Sequence, residues 1–238
     1  MYALSEKGER IRAMFGSIAP RYDFLNRLLS LGIDRRWRRF AVGKIGVSGS
    51  GKVLDVATGT GDVALEIASQ TAPSVEIVGI DFCKEMVDLG KVKVEGSPFA
   101  GRISLQVAPC EDIPFPDQTF DAATISFGIR NVVDRVAGLA EMHRVLKGGG
   151  RMVILEFSTP TMPLFKQLYH FYFLKVLPKI GGMFSRMSAY QYLPDSVLEF
   201  PSRDEFKAMM SQVGFQNVQH FDLTGGIATV YLGVKKAS

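Results

Sequence analysis

The sequence predicts an α/β fold whose mostly parallel sheet ends in an antiparallel hairpin. Short apolar runs alternate with helical patterns between residues 52 and 157, as consecutive strand–helix–strand units do. Two further β-like runs, 218–223 and 227–234, close the chain. Only three residues separate them, which is too few for a parallel crossover, so these runs must form a hairpin.

The individual elements follow from hydrophobic periodicity and turn residues. We predict strands at 53–56, 75–80, 103–107, 120–127 and 151–157. Helices are predicted after the first strand, at 84–94, at 134–146 with Asp134 as N-cap, and at 202–213. The glycine run 148–150 is expected to stop the helix that precedes it.

Two caps are predicted around this sheet. The chain of 238 residues is long enough for one full core and an added cap. Residues 1–50 precede the first strand and show helical spacing, which predicts an N-terminal helical cap, followed by a sheet domain over 51–238. Residues 160–192 break the strand–helix alternation and are rich in aromatics. This insertion is either a helix packed on the core or a cap that lines an apolar tunnel or touches a membrane.

The segment after the first strand has the chemistry of a nucleoside site. Gly59 and Gly61 let the backbone approach a ligand, and the helix beyond them offers free N–H groups. Twenty residues later the second strand ends in Asp81, whose carboxylate can accept hydrogen bonds from both hydroxyls of a ribose.

The carboxylate of Asp55 distinguishes between two nucleoside-containing cofactors, NAD and S-adenosylmethionine. The loop lacks the third glycine of the dinucleotide pattern, and a carboxylate at Asp55 is unfavourable beside the phosphates of NAD. It suits S-adenosylmethionine (AdoMet), which carries an ammonium and a sulfonium. We therefore predict AdoMet as cofactor and a seven-stranded, Rossmann-like class I AdoMet-dependent methyltransferase fold. NAD and a turn without any ligand remain the alternatives.

The positive charge of the chain is unevenly distributed. The formal net charge is +4, and residues 1–50 alone contain ten Lys and Arg against four Asp and Glu. Residues 160–190 contain four basic residues and no acidic one. Such runs form ordinary solvated faces, or they bind an anionic membrane surface or a nucleic acid.

Neither a metal site nor a secreted protein is indicated. Cys83 and Cys110 have no C-x-x-C spacing, and the three histidines have no ligand spacing, so we expect free thiols and no metal. There is no apolar run of membrane-spanning length and no signal-peptide pattern, which predicts a cytoplasmic protein.

Three segments resemble the ubiquinone/menaquinone biosynthesis C-methyltransferases. They are YDFLN at 22–26 with Ser30 and Trp37 downstream, SFGIRNV at 126–132, and RVLKGGG at 144–150 running to LEFS at 155–158. The resemblance extends from about Phe15 to Val234. The chain departs from the family pattern at Asp34, where histidine is usual, at Gly148, and at Pro109-Cys110, where the family has Asn-Ala.

The resemblance implies a set of site residues. By position, AdoMet contacts fall on Thr60, Asp81 and Ser126, and Cys110 stands beside the expected adenine. Asp55 and Gly59 join them on the physical argument above. The implied reaction is methyl transfer to a ring carbon of a polyprenylated quinol in menaquinone biosynthesis, or in ubiquinone biosynthesis as well.

That reaction needs a group that removes or stabilises the charge of a quinol hydroxyl. The candidate catalytic residues are Tyr22, Asp23, Asn26, Arg130 and Asn131. We favour Arg130 as the stabiliser of a phenolate-like oxygen. A purely structural ion pair between Arg130 and an aspartate is the alternative. His170, in the inserted cap, is a further candidate proton acceptor, whereas His143 is expected to pack in mid-helix.

The expected partners follow from a polyprenyl tail. Such a substrate needs an apolar groove and peripheral contact with an anionic membrane, at the inner face of the plasma membrane. A homodimer is also expected, and no nucleic acid. The rival hypotheses are a methyltransferase of a soluble small molecule, an RNA-binding methyltransferase-like module, and an AdoMet binder without activity.

Overall fold

The computed structural model describes residues 5–160 and 187–237. Within them, seven strands form one sheet in the order β3-β2-β1-β4-β5-β7-β6. The strands are β1 (Gly51–Val56), β2 (Val75–Asp81), β3 (Ile103–Val107), β4 (Phe120–Ser126), β5 (Leu146–Phe157), β6 (Phe215–Leu223) and β7 (Ala228–Lys235). The first five pair in parallel, and β7 pairs antiparallel with both β5 and β6. The predicted fold class is confirmed.

The helices lie before the sheet and between its strands. They are α1 (Glu6–Ile18), α2 (Tyr22–Leu29), α3 (Asp34–Val42), α4 (Asp62–Gln70), α5 (Lys84–Glu95), α6 (Arg135–Val145), α7 (Met187–Leu198) and α8 (Arg203–Gln212). The predicted N-cap at Asp134 is confirmed, and the helix predicted from Ser202 begins with a second N-cap. The Asp134 side chain accepts a hydrogen bond from Ala137 N, and Ser202 forms a capping box with Glu205.

Both faces of the sheet are covered, which explains why its strands are apolar throughout. Successive side chains of β1 point to opposite faces, so Leu54 packs in one apolar cluster and Val53 in the other. The first cluster contains Leu139 of α6, and the second contains Ile67 of α4. All four side chains are fully buried.

The glycine run 148–150 differs from its prediction. Helix α6 already ends at Val145, and Leu146 begins β5, so the glycines lie inside the strand. The β4–β5 register shifts there, from Phe120 opposite Leu146 to Ala122 opposite Arg151. The extra residues form a bulge, which glycine tolerates, and Gly149 has a φ of +79°.

Helices α1 to α3 precede the sheet, where helical patterns were predicted. Trp37 of α3 is buried in the core, and its Nε1 donates to Thr224 Oγ1 at 2.9 Å across the chain. The division into a cap at 1–50 and a domain at 51–238 stays a prediction. Residues 161–186 of the inserted cap predicted at 160–192, including His170, lie outside the described residues, and its last residues, 187–192, belong to α7.

Candidate active site

A cavity opens at the carboxyl ends of the parallel strands, where ligands of such sheets bind. The cavity is partly open to solvent. Six of the predicted site residues contribute to its wall: Tyr22, Gly59, Asp81, Cys110, Ser126 and Asn131. The sequence had placed them on five separate segments, and the fold brings them together.

The glycine loop reaches the cavity in a left-handed backbone conformation. Gly59 has a φ of +56° and Gly61 a φ of +82°, values that residues with a Cβ rarely adopt. Gly59 N donates to Asp81 Oδ2 at 2.9 Å, which joins the loop to the end of β2. The loop therefore presents backbone rather than side chain to a ligand.

The ends of β1 and β4 contact each other at the cavity wall. The residues directly after these strands, Ala57 and Phe127, have φ values of +51° and +56°. Strained backbone of this kind is common at functional sites. A Cβ on Gly128 would lie 2.6 Å from the Ala57 Cβ, so this position requires glycine.

Asp81 is a buried acceptor in the cavity wall. Its Oδ2 accepts from Gly59 N at 2.9 Å and its Oδ1 from Cys83 N at 2.8 Å. Burial raises the pKa of Asp81 to about 6, and these two hydrogen bonds oppose that rise. Each oxygen keeps a second lone pair, which suits the two hydroxyls of a ribose.

Asp55 is hydrogen-bonded to Thr58 in the glycine loop and is not part of the cavity wall that the described residues form. Its Oδ2 accepts from Thr58 Oγ1 at 2.6 Å, and the residue is 1% exposed. Burial raises the pKa of Asp55 to about 7, and the negative charge of Asp81 adds to the effect. A direct contact between Asp55 and the ammonium of AdoMet stays a prediction.

Thr60 and Asp23 hold the glycine loop against α2. Thr60 Oγ1 donates to Asp23 Oδ1 at 2.6 Å, and Lys93 Nζ donates to Thr60 Oγ1 at 2.9 Å. Lys93 also pairs with Asp23 and, at 2.8 Å, with Asp62. In the described structure, Asp23 and Thr60 thus bind protein groups and stand outside the cavity wall.

Arg38 extends this network, and sequence reasoning missed it. The buried guanidinium pairs with Asp34 of its own helix and with Asp62 at the start of α4. Asp34 is one of the positions where the chain departs from the resembling family. The sequence did contain a signal for this ion pair, because Asp34 stands four residues before Arg38 in a predicted helix. An acid at that spacing from an arginine predicts an ion pair.

Arg130 lies buried beside Glu156 at the end of β5. Its Nη1 donates to Glu156 Oε1 at 2.7 Å and to Phe127 O at 2.6 Å, while its backbone N donates to Glu156 Oε2 at 3.2 Å. Its Nε is buried and has no hydrogen-bond partner among the described residues. The ion pair considered as an alternative does exist, with a glutamate rather than an aspartate.

Tyr22 and Asn131 line the cavity, and Tyr192 contacts Asn131 from α7. Tyr22 hydrogen-bonds to Asn26, and burial raises the pKa of its hydroxyl while the charge of Arg130 opposes that rise. The Tyr192 hydroxyl donates to Asn131 Oδ1 at 3.0 Å. Tyr192 lay inside the predicted aromatic cap, but nothing in its spacing distinguished it there.

The residues of the cavity fit AdoMet. The Ser126 hydroxyl is buried and has no partner among the described residues, although buried hydroxyls are nearly always paired. A ligand hydrogen bond would satisfy it. Together with Asp81 and the backbone at Gly59, it provides the polar groups for a nucleoside, and Phe82 and Met86 provide apolar wall.

The described residues contain no group of three metal-binding side chains. Both cysteines are buried thiols. Burial raises the pKa of Cys83 to about 11 and also raises the pKa of Cys110, which keeps both protonated at neutral pH.

The fold and the cavity together define the class of protein: a class I AdoMet-dependent methyltransferase. A family model described as the ubiE/COQ5 methyltransferase family matches residues 3–235. The chain belongs to this family and is an AdoMet-dependent C-methyltransferase.

Curated relatives agree with this family, and a solved structure shows the same fold. The chain is 82% identical to "Ubiquinone/menaquinone biosynthesis C-methyltransferase UbiE" of Geobacter sp. strain M21, over 99% of this chain and all of the relative. It is 47% identical to "Demethylmenaquinone methyltransferase" of Deinococcus radiodurans, over 97% and 95% of the two chains. A SAM-dependent methyltransferase from Aquifex aeolicus has a TM-score of 0.62 at 18% identity, covering 83% of this chain and 88% of its own, and shows the shared fold.

Proposed function

We propose that the protein methylates a ring carbon of a polyprenylated quinol and converts demethylmenaquinol to menaquinol. A ubiquinone precursor is proposed as a second acceptor. The names of the relatives support both acceptors. The observation that carries the proposal is the position of Asn131 in the cavity wall, with the buried Arg130 beside it on the same short turn and outside that wall. We propose that the acceptor ring binds next to this turn, where the amide of Asn131 can contact it and the charge of Arg130 acts on it.

The reaction requires a carbon nucleophile. AdoMet supplies an electrophilic methyl group, and Asp81, Ser126 and the Gly59 backbone would hold it. A quinol that loses a hydroxyl proton places negative charge on the adjacent ring carbon. The new carbon–carbon bond uses that electron pair, and the carbon–sulfur bond breaks toward sulfur. The hydroxyl proton and then the ring proton pass to water at the open side of the cavity, and loss of the ring proton restores the aromatic quinol.

Arg130 is the residue proposed to favour the ionised quinol. Burial raises the pKa of both nearby phenols, Tyr22 and Tyr192, and the positive charge of Arg130 opposes that rise. A quinol hydroxyl between them would feel the same field, since opposite charge stabilises the anion. Glu156 fixes the guanidinium in place. The buried Nε of Arg130 has no partner among the described residues, and we propose its N–H as the donor to the developing oxyanion.

The polyprenyl tail implies a membrane surface. On the described residues of the N-terminal helices, Phe24 is 56% exposed and Leu31 is 88% exposed. Arg21, Arg27 and Arg35 are exposed in the same segment. Apolar side chains among basic ones suit the anionic inner leaflet, so we infer peripheral association there from the cytoplasmic side. No helix of the described chain is long and apolar enough to span a bilayer. A homodimer stays a prediction.

Methyl transfer from labelled AdoMet tests the proposal. The acceptors are chemically reduced demethylmenaquinone in detergent, the same quinone oxidised, and the reduced ubiquinone precursor. We expect label in the reduced naphthoquinol and none in the oxidised quinone. Arg130→Lys keeps a cation beside Glu156 but loses the Nε donor, so kcat should fall about 100-fold with AdoMet binding unchanged. Label in none of these acceptors, with AdoMet still bound, would overturn the proposal.

A further inference from the structure

Tyr192 connects α7 to the cavity through a single hydrogen bond. Its half-buried side chain donates from the hydroxyl to Asn131 Oδ1 at 3.0 Å. The two residues lie 61 positions apart in sequence. Asn131 belongs to the cavity wall, next to Arg130 on the same turn.

The neighbours of Asn131 fix the orientation of its amide. A carboxamide has one acceptor oxygen and two N–H donors. Tyr192 occupies the oxygen, and Nδ2 directs one N–H toward Phe127 O at 3.4 Å. The reverse orientation would place the amide oxygen against the Phe127 carbonyl, which has no proton to donate. One N–H therefore remains for a ligand.

We propose that Tyr192 is a positioning residue that holds Asn131 as a hydrogen-bond donor to the quinol oxygen on which negative charge develops. The inference rests on the proposed function and extends it to a residue outside the turn. A donor stabilises an oxyanion, whereas the amide oxygen would repel it. Asn131 then acts with Arg130 on the same side of the ring, and neither residue needs to accept the proton.

Tyr192→Phe tests this role, because it removes the hydroxyl and keeps the ring. The amide of Asn131 loses the partner that holds its oxygen away from the substrate. We expect kcat for demethylmenaquinol to fall about tenfold, the loss of roughly one hydrogen bond to a charged group, with the Kd of AdoMet unchanged.

Ionisation of a bound phenol supplies a readout that lost packing would not change. The probe is 1-naphthol, bound to the protein together with S-adenosylhomocysteine. The absorbance of the naphthol reports how much naphtholate is present as pH is varied. The wild-type protein should lower the pKa of the bound naphthol relative to free naphthol, and Tyr192→Phe should raise that bound pKa by about one unit. Tyr231→Phe is the matched control, since Tyr231 is buried in the core next to Phe206 and away from the cavity wall.

A second variant keeps the test decisive if Tyr192→Phe does not fold. Asn131→Asp retains an acceptor for the Tyr192 hydroxyl but turns an oxygen toward the substrate, so kcat should fall at least 100-fold and the bound naphthol should ionise at higher pH. An active Asn131→Asp enzyme would overturn the inference. So would a Tyr192→Phe protein whose bound naphthol titrates like the wild type. A wild-type protein that shifts naphthol ionisation but never methylates demethylmenaquinol would instead contradict the proposed function alone.

Discussion

Thr60 donates a hydrogen bond of 2.6 Å to Asp23, and this pair joins the glycine loop to the first turn of α2. Lys93 binds both residues and continues to Asp62, which in turn pairs with Arg38. Tyr22, the neighbour of Asp23, contributes to the cavity wall. The network therefore ties one wall of the cavity to the loop that approaches the cofactor.

Removal of Lys93 should loosen this wall. Lys93→Met leaves the carboxylates of Asp23 and Asp62 without their shared cation. We expect AdoMet to bind about tenfold more weakly and the free energy of unfolding to fall by about 1–2 kcal/mol. Calorimetric titration and chemical denaturation measure the two effects. Lys91→Met, an exposed position on the same helix, is the control and should change neither. Equal AdoMet affinities in the two variants would show that the network is structural only.

Substitution of Ser126 should weaken AdoMet binding without lowering the stability of the protein. Its hydroxyl is buried without a partner among the described residues, so Ser126→Ala removes no hydrogen bond within the described protein. We expect thermal stability to stay the same or rise, while the Kd of AdoMet increases about 3- to 10-fold for one lost ligand hydrogen bond. A loss of stability without a loss of affinity would mean that Ser126 serves the fold.

The buried carboxyl of Asp55 should make stability depend on pH. Its folded pKa, about 7, lies above the unfolded value of 3.8. The protonated form is therefore favoured by folding, so this contribution is complete below the unfolded pKa and is lost as pH rises through the folded pKa. Between pH 5 and pH 8 the wild type should lose about 2 kcal/mol more than Asp55→Asn, measured by urea denaturation. Parallel pH profiles for the two proteins would show that Asp55 ionises normally.

The surface formed by Phe24 and Leu31 should decide membrane association. The double variant Phe24→Ser and Leu31→Ser should bind vesicles of phosphatidylglycerol and phosphatidylcholine several-fold more weakly, with the Kd of AdoMet unchanged. Binding of the wild type should fall in high salt and on pure phosphatidylcholine. Val92→Ser, which changes an exposed apolar residue on α5, is the control. Unaltered vesicle binding by the double variant would place the membrane contact elsewhere.

Local patterns were sufficient to predict the part of the site that is built locally. Asp55 in β1, the glycine loop and Asp81 lie in one strand–helix–strand unit. Spacing along the sequence is enough to predict how the parts of such a unit are arranged. Side-chain contacts between distant segments of the chain could not be predicted from spacing. Glu156 lies 26 residues from Arg130, and Tyr192 lies 61 residues from Asn131, so only the tertiary fold brings each pair together.

The glycine run at 148–150 shows the opposite problem, in which a local signal had two meanings. Glycines after a helical pattern predict a helix end, and α6 does end nearby, at Val145. Pairing of Leu146 with Phe120 makes the strand start earlier, and the glycines then form its bulge. The start of a strand depends on its pairing with a segment far along the chain. The residues next to the glycine run do not contain that information.

The position of the transferred methyl group tests the proposed chemistry most directly. Incubation of the protein with ¹³C-methyl AdoMet and reduced demethylmenaquinone, followed by carbon NMR of the extracted lipid, distinguishes a methyl on a ring carbon from one on oxygen. We expect a single aryl-methyl signal, which grows with protein concentration and falls in Arg130→Lys. A methoxy signal, or an unmethylated lipid with AdoMet still bound to the protein, would contradict methylation of a quinol carbon.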